Sequence, residues 1–323
     1  MNKKYSIEVP IYSSSIKHLI ELNQLEDIDI VMYGGVPNSP LNGGRLNLVL
    51  DGLFIWNRFF LRLTKKQLSK ALSNFYSTIT KANQNGIPFR IAYTNMFISH
   101  EELNEENLYS VKWLVESSQK YGVKNGVIIY NKLLEDFIRQ KYGDKLVYVS
   151  SLTKYFSPHK ILTPQETLSM YLEDSRRFDF ITITPQDSRR ENLLKDLLRD
   201  SKCGIIALCN SYCAYHCKSY YHYECFSHYN KKSLLTIDYT GMNFLATAFT
   251  FFMRQGYKCP TSILVFPPLR NASFKKITKM QLNAGIVNFK LGRGLGMDFL
   301  NKLVSLILEF NEKKKKQKTR RFI

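Results

Sequence analysis

Apolar positions along the chain fall into two alternating kinds of run. Short runs rich in Val, Ile, Tyr and Phe read as strands: YSIEVPI (5–11), DIVMYGG (29–35), FRIAYTN (89–95), GVIIYN (126–131), KLVYVSSL (145–152), DFITITP (179–185), CGIIALCN (203–210) and IVNFKLGRG (286–294). Between and after them lie longer amphipathic runs at 16–25, 64–86, 101–122, 132–143, 164–178, 186–202, 277–285 and 297–310. Within these, apolar residues recur at helical spacing, as in Leu193, Leu194, Leu197 and Leu198. Strands that alternate with helices predict a parallel sheet joined by right-handed crossovers.

Eight such units predict a TIM-like (β/α)8 barrel, with a Cys-rich insertion after the seventh strand and a disordered basic C-terminal tail. An open, doubly wound sheet is the alternative, and SILVFPP (262–268) reads as either a ninth strand or part of the insertion. The expected organisation is one barrel domain over 1–311, holding a cysteine-rich loop and insertion at 209–268, followed by the tail at 312–323. In a barrel, active sites lie where strands end. Cys209, Asn95, Lys290, Arg293 and the glycine loop PNSPLNGGR would then converge on one mouth.

The N-terminus, MNKKYSIEVPIYSSS, has no continuous apolar core of the signal-peptide kind. The stretch GMNFLATAFTFFM (241–253) falls well short of the roughly 20 residues that cross a bilayer. A cytoplasmic protein is the expectation. The net charge is +19, and the tail KKKKQKTRR (313–321) carries seven of those charges, so the body is basic without it. An anionic partner, either a small molecule or RNA, is one reading of this balance. A solvated lysine-rich surface is the other.

Five of the six cysteines lie between 203 and 225. In a reducing compartment such a cluster points to metal or redox chemistry. Cys209, Cys213 and Cys217 form C-x3-C-x3-C, and Cys225 follows after seven residues. Four thiolates complete the coordination of an iron–sulfur cluster or a zinc ion. The crowding suits a cluster with several ligating corners better than a two-knuckle zinc ribbon. Cys259 is the alternative fourth ligand, and His216, His222 or His228 would complete a zinc site. Cys203, at the start of its strand, reads as a buried small hydrophobe. The x3/x3 spacing, two-thirds along the chain, disfavours radical-SAM chemistry.

Arg45 and Arg293 are the guanidiniums expected at the mouth, where a planar fork suits a carboxylate or phosphate. Lys290 is a third candidate for binding substrate, pointing either into the barrel or outward to water. Ser150 and Ser151 end a strand, but nothing in the sequence fixes them against His100 or His159, so a hydrolytic site is not legible. No dinucleotide fingerprint, P-loop or HExxH occurs.

The cysteine run, the early loop VMYGGVPNSPLNGGR (31–45), the segment NFKLGRG (288–294) and the stretch PPLRNASFKKITKMQLNAGIVNFKLGR that leads into it together resemble the peptidase U32-like family. The likeness spans roughly 29–310. Two departures stand out: Leu291-Gly292 replaces the family's Ile-Glu-Gly order, so its acid is missing, and the cysteine spacing is tighter. The resemblance implies a TIM-like barrel with a [4Fe–4S] cluster on four cysteines. It also implies oxygen-independent hydroxylation with oxygen drawn from prephenate, on ubiquinone precursors or on bases of tRNA or rRNA. A partner subunit fits such a family. The resulting expectation is a cluster-bearing redox or hydroxylation enzyme. The alternatives are a zinc-stabilised, non-catalytic barrel that binds RNA or an acidic partner, and a U32-type peptidase.

Overall fold

A computed structural model describes residues 5–11, 16–37, 39–41, 49–50, 53–54, 65–95, 98–155, 163–209, 271–292 and 298–319 of the chain. Its barrel strands alternate with helices. They are β1 (Tyr5–Pro10), α1 (Ile16–Asn23), β2 (Ile28–Gly34), α2 (Lys65–Gln84), β3 (Phe89–Tyr93), α3 (Glu105–Tyr121), β4 (Gly126–Ile129) and α4 (Lys132–Tyr142). There follow β5 (Val147–Ser150), α5 (Pro164–Asp174), β6 (Phe180–Thr182), α6 (Glu191–Asp200), β7 (Gly204–Leu208), α7 (Asn271–Ala284), β8 (Asn288–Lys290) and α8 (Asp298–Thr319). Each strand pairs in parallel with its chain neighbours, and β8 pairs with β1, so the sheet closes into a barrel. This excludes the open-sheet alternative. Val49–Leu50 and Leu53–Phe54 form a separate antiparallel pair. The stretch 262–268, read as a ninth strand or insertion, lies outside the described residues.

Local chemistry explains where the helices begin. Asn104 and Asn131 cap α3 and α4 by accepting from Asn107 N and Leu134 N. At α5, Thr163 and Glu166 form a reciprocal capping box, with Pro164 in the first helical position. The strands' outward faces, such as Ile7, Ile30, Ile91, Val127 and Ile205, pack under these helices in the main core. A smaller cluster of Tyr33, Ala92, Ile128, Val149 and Ile206 fills the inside of the barrel.

The registers have the stagger of a barrel with shear 8, in which alternate strands supply each interior layer. One layer combines Glu8, Arg90, Val149 and Ile206 from the odd-numbered strands. The layer above it, nearer the strands' C-terminal ends, combines Tyr33, Ile128, Thr182 and Lys290 from the even-numbered strands. Two inward glycines make room for larger neighbours. A Cβ on Gly126 would lie 2.4 Å from the Val147 carbonyl oxygen, and one on Gly204 would lie 2.4 Å from the Phe180 ring. Near the N-terminal ends of β3 and β4, Asn83 and Asn125 exchange amide hydrogen bonds of 3.0 and 2.8 Å, and Asn125 accepts from Phe89 N. This buried amide pair satisfies backbone that would otherwise be orphaned.

The tail differs from its expectation. Helix α8 continues to Thr319, so residues 312–319 are helical rather than disordered. Lysine is a good helix former, and cations near a helix C-terminus oppose its dipole. Asn311 accepts from Tyr5 Oη at 3.0 Å and donates to Asp27 at 3.0 Å, which ties the helix to the starts of β1 and β2. The turns carrying Lys313–Lys316 therefore run past the barrel's N-terminal rim, away from the mouth, and their side chains are exposed.

Gly126→Ala is expected to lower unfolding stability by about 1–3 kcal/mol, because its methyl meets backbone that cannot step aside. Urea denaturation should show a lower midpoint with an unchanged slope.

Candidate functional site

Among the described residues, three buried charges meet inside the barrel. Glu8 on β1 accepts from Arg90 on β3 and from Lys290 on β8, and all three side chains are buried. The Arg90 guanidinium also lies 4.5 Å from the Phe180 ring centroid, and the Lys290 ammonium 3.6 Å from that of Tyr33. Tyr33 in turn donates to the Leu291 carbonyl at 2.6 Å. Burial alone would raise the Glu8 pKa, but the Lys290 and Arg90 charges and their hydrogen bonds outweigh it and hold the carboxyl below its ordinary range. Glu8 is thus a carboxylate shared by two cations.

Lys290 therefore points inward, and its partner is an acid the sequence reading missed. The same reading overlooked Arg90. A signal was present: Glu8 is the only charged residue in YSIEVP, and Arg90 the only one in FRIAY. Both sit at inward parity in otherwise apolar strands.

Cys209 follows β7 at its C-terminal end, as expected. Its thiol lies in the hydrophobic layer between sheet and helices and donates to the Lys290 carbonyl at 3.5 Å. Burial pushes the Cys209 thiol pKa well up. Cys203 sits at the opposite end of the same strand, partly buried against that layer. Cys213, Cys217, Cys225 and Cys259 lie outside the described residues, as do Arg45, Arg293 and the histidines between them. All four of those cysteines fall in the segment that leaves β7 and returns at α7.

Two polar clusters occupy the helix side of the sheet. Ser150 and Tyr155 donate to Asp174 at 2.6 and 2.8 Å, and Lys154 pairs with the same carboxylate at 2.8 Å. Burial, then the Asp174 charge, pushes the Tyr155 phenol well up, so it stays a donor. Tyr171 and Thr184 donate to Asp187 at 2.9 and 2.7 Å, and Arg190 pairs with Asp187 at 3.2 Å. These clusters tether the loops after β5 and β6 to α5. Ser150 is committed to a carboxylate rather than to an imidazole base, so it is not an activated nucleophile. Asn95 is likewise occupied, donating to the Pro40 carbonyl at 2.7 Å.

On the inner wall, the rows differ sharply. Ala92, Ile128 and Val149 lie side by side in register and are apolar. Two residues further along, just past the ends of these strands, come Thr94, Tyr130 and Ser151, and the extended row meets Thr182 on β6. Ser151 Oγ pairs with Thr153 Oγ1 at 2.8 Å. The Thr182 hydroxyl is buried, with no hydrogen-bond partner among the described residues.

No family model matches the chain, and no curated protein matches it in sequence. Among solved structures it is similar to the U32 peptidase Mk0906, with a TM-score of 0.46 and 12% identity over 91% of this chain and 95% of that one. It is also similar to a delta-aminolevulinic acid dehydratase from Toxoplasma gondii, with a TM-score of 0.36 and 9% identity over 90% of this chain and 83% of that one. No helix among the described residues is long and apolar enough to cross a membrane.

Glu8→Gln should cost roughly 3–5 kcal/mol, because it leaves two buried cations without their counter-charge. A carboxylate with a depressed pKa stabilises the fold above its unfolded value, near 4.5, and that stability is lost as pH falls through the folded value. Thermal unfolding followed across the acid range should therefore show a steeper loss for the parent protein than for the Gln variant.

Proposed function

We propose that this chain is a U32-like barrel protein that binds a metal centre through its cysteine-rich segment and works at the C-terminal mouth of the barrel. A [4Fe–4S] cluster is the centre proposed first. The observation that carries the proposal is that the segment bearing Cys213, Cys217, Cys225 and Cys259 leaves the barrel at the C-terminal end of β7, the end where barrel enzymes keep their active sites. The donor chemistry fits, since four thiols match the all-thiolate coordination of such a cluster. Cys209 fits less well. Its thiol is buried against the Lys290 carbonyl, and Cys213, Cys217, Cys225 and Cys259 make four ligands without it.

When bound, a cluster of this kind supplies one-electron chemistry. The chain's own contribution would be binding and orientation. Lys290, with Arg45 and Arg293, is proposed to meet anionic groups of the substrate, either a small metabolite or a nucleic-acid base with its phosphates. Redox or oxygen-independent hydroxylation chemistry follows from the sequence resemblance to the U32-like family. Peptidase chemistry is the weakest reading, given the commitment of Ser150 to Asp174.

One observation favours a second reading, a zinc-stabilised barrel that binds RNA without catalysis. Helix α2 exposes Lys66, Lys70 and Lys81, α7 exposes Lys275, Lys276 and Lys279, and neither helix carries an acid. By contrast, α5 carries three acids and no base. Together with Lys313–Lys316, this makes one side of the shell strongly basic, the footprint expected of a polyanion site.

Anaerobically purified protein should be brown, with about four irons and matching sulfide per chain. Cys213→Ala should lose most of that content, and unchanged iron and sulfide in this variant would remove the proposal. Colourless protein with one zinc, and RNA affinity that collapses when 312–323 is deleted, would establish the second reading instead.

A further inference from the structure

We infer that the barrel interior beside Thr182 and Lys290 is the inner end of a binding site for a small oxyanion, a carboxylate or a phosphate group. The inference deepens the proposed mouth chemistry but needs no metal, so it stands or falls separately from the cysteine reading.

Three observations converge on it. Thr182 and Lys290 belong to the same interior layer, on β6 and β8, with only β7 between them. The Thr182 hydroxyl is 1% exposed and has no hydrogen-bond partner among the described residues. A buried hydroxyl in that state costs stability unless something occasional or external completes it. Finally, Thr182 does not stand alone. Extending the register one residue past the ends of β5, β4 and β3 puts Ser151, Tyr130 and Thr94 next along the row. Because barrel strands tilt, that row climbs from Thr182 towards the C-terminal rim at Thr94. Adjacent strands are about 4.8 Å apart, so each hydroxyl-bearing residue is one strand spacing from the next. The result is a row of hydroxyl-bearing residues that starts in the Lys290 layer at Thr182 and reaches the C-terminal rim, with the Ser151 hydroxyl held by Thr153.

The charge pattern selects the ligand class. Two interior cations, Arg90 and Lys290, share the single Glu8 carboxylate. Asp29, the remaining inward acid on β2, lies at the opposite, N-terminal end of the barrel and is partly exposed. Asp174 and Asp187 face the helices and are held by their own donors. The hydroxyl row itself contains no acid. Hydroxyl donors beside an excess of buried positive charge favour an oxyanion over a cation or an apolar group.

Thr182→Val and Thr278→Val test this in the full-length protein. Thr278, on α7 outside the barrel, is the matching control: its hydroxyl is also buried with no hydrogen-bond partner among the described residues. Each variant should melt slightly above the parent in chloride, since each removes an unpaired hydroxyl. Inorganic phosphate or malonate at matched ionic strength should raise the melting temperature of the parent and of Thr278→Val, and should leave Thr182→Val unmoved. Whichever probe gives the larger shift identifies phosphate or carboxylate as the group bound. Equal shifts in all three proteins would mean general anion binding to a basic surface and would overturn the inference. An absence of any shift with both probes at millimolar concentration would overturn it too, leaving at most a buried water beside Thr182.

Discussion

Glu8 holds the barrel interior together. Its carboxylate sits between Arg90 and Lys290, so one side chain links β1 to β3 across the interior and to β8 across the closing seam. Taking three charges out of water is expensive, and the cost is offset because each has a close opposite charge and each cation also lies against an aromatic ring. Phe180 lies under Arg90 and Tyr33 under Lys290. Gly204 has no side chain, and Phe180 occupies that space. A choice at one position on β1 thus constrains residues on β2, β3, β6, β7 and β8.

An apolar filling of the same volume would often be as stable or more so. The triad is therefore not the simplest way to pack a barrel. What it provides is a fixed positive charge in the layer facing the mouth, held by Glu8 in the same layer as Thr182 and one strand removed from it. The apolar row Ala92, Ile128 and Val149 seals the wall beneath the hydroxyl row. Polar chemistry is thereby concentrated at the C-terminal end, where the cysteine-bearing segment also leaves the sheet. The lysine-rich end of α8 projects from the opposite rim. Whatever anion it attracts is held away from the mouth, so a large nucleic acid would have to span the shell to reach both.

Much of this architecture was legible in the sequence. All eight barrel strands and all eight helices overlap the runs that periodicity marked, although α7 begins six residues before its run and α8 continues nine beyond, because most strands are short apolar blocks rich in Ile and Val. The closure of the sheet was expected from the count of units and is now explicit in the β1–β8 pairing. The interior charges were not read, because Glu8 and Arg90 lie 82 residues apart and look like isolated polar interruptions in apolar strands. Only the register brings them together. Lys290 was singled out, but as a substrate-binding candidate whose direction, inward or outward, the sequence left open. The helical course of 312–319 was missed for a different reason. A lysine run looks disordered in isolation, but here it extends a helix already anchored by Leu303, Ile307 and Asn311. Thr182 left no mark in the sequence, since an unpartnered hydroxyl is a property of packing alone.

The central claim is a thiolate-bound metal centre at the mouth of this barrel. X-ray absorption at the iron and zinc edges of anaerobically purified, full-length protein tests it most directly. The account predicts an iron edge whose nearest neighbours are all sulfur, with a further shell of iron scatterers. A first shell of oxygen and nitrogen at either edge, or protein free of both metals, would contradict it.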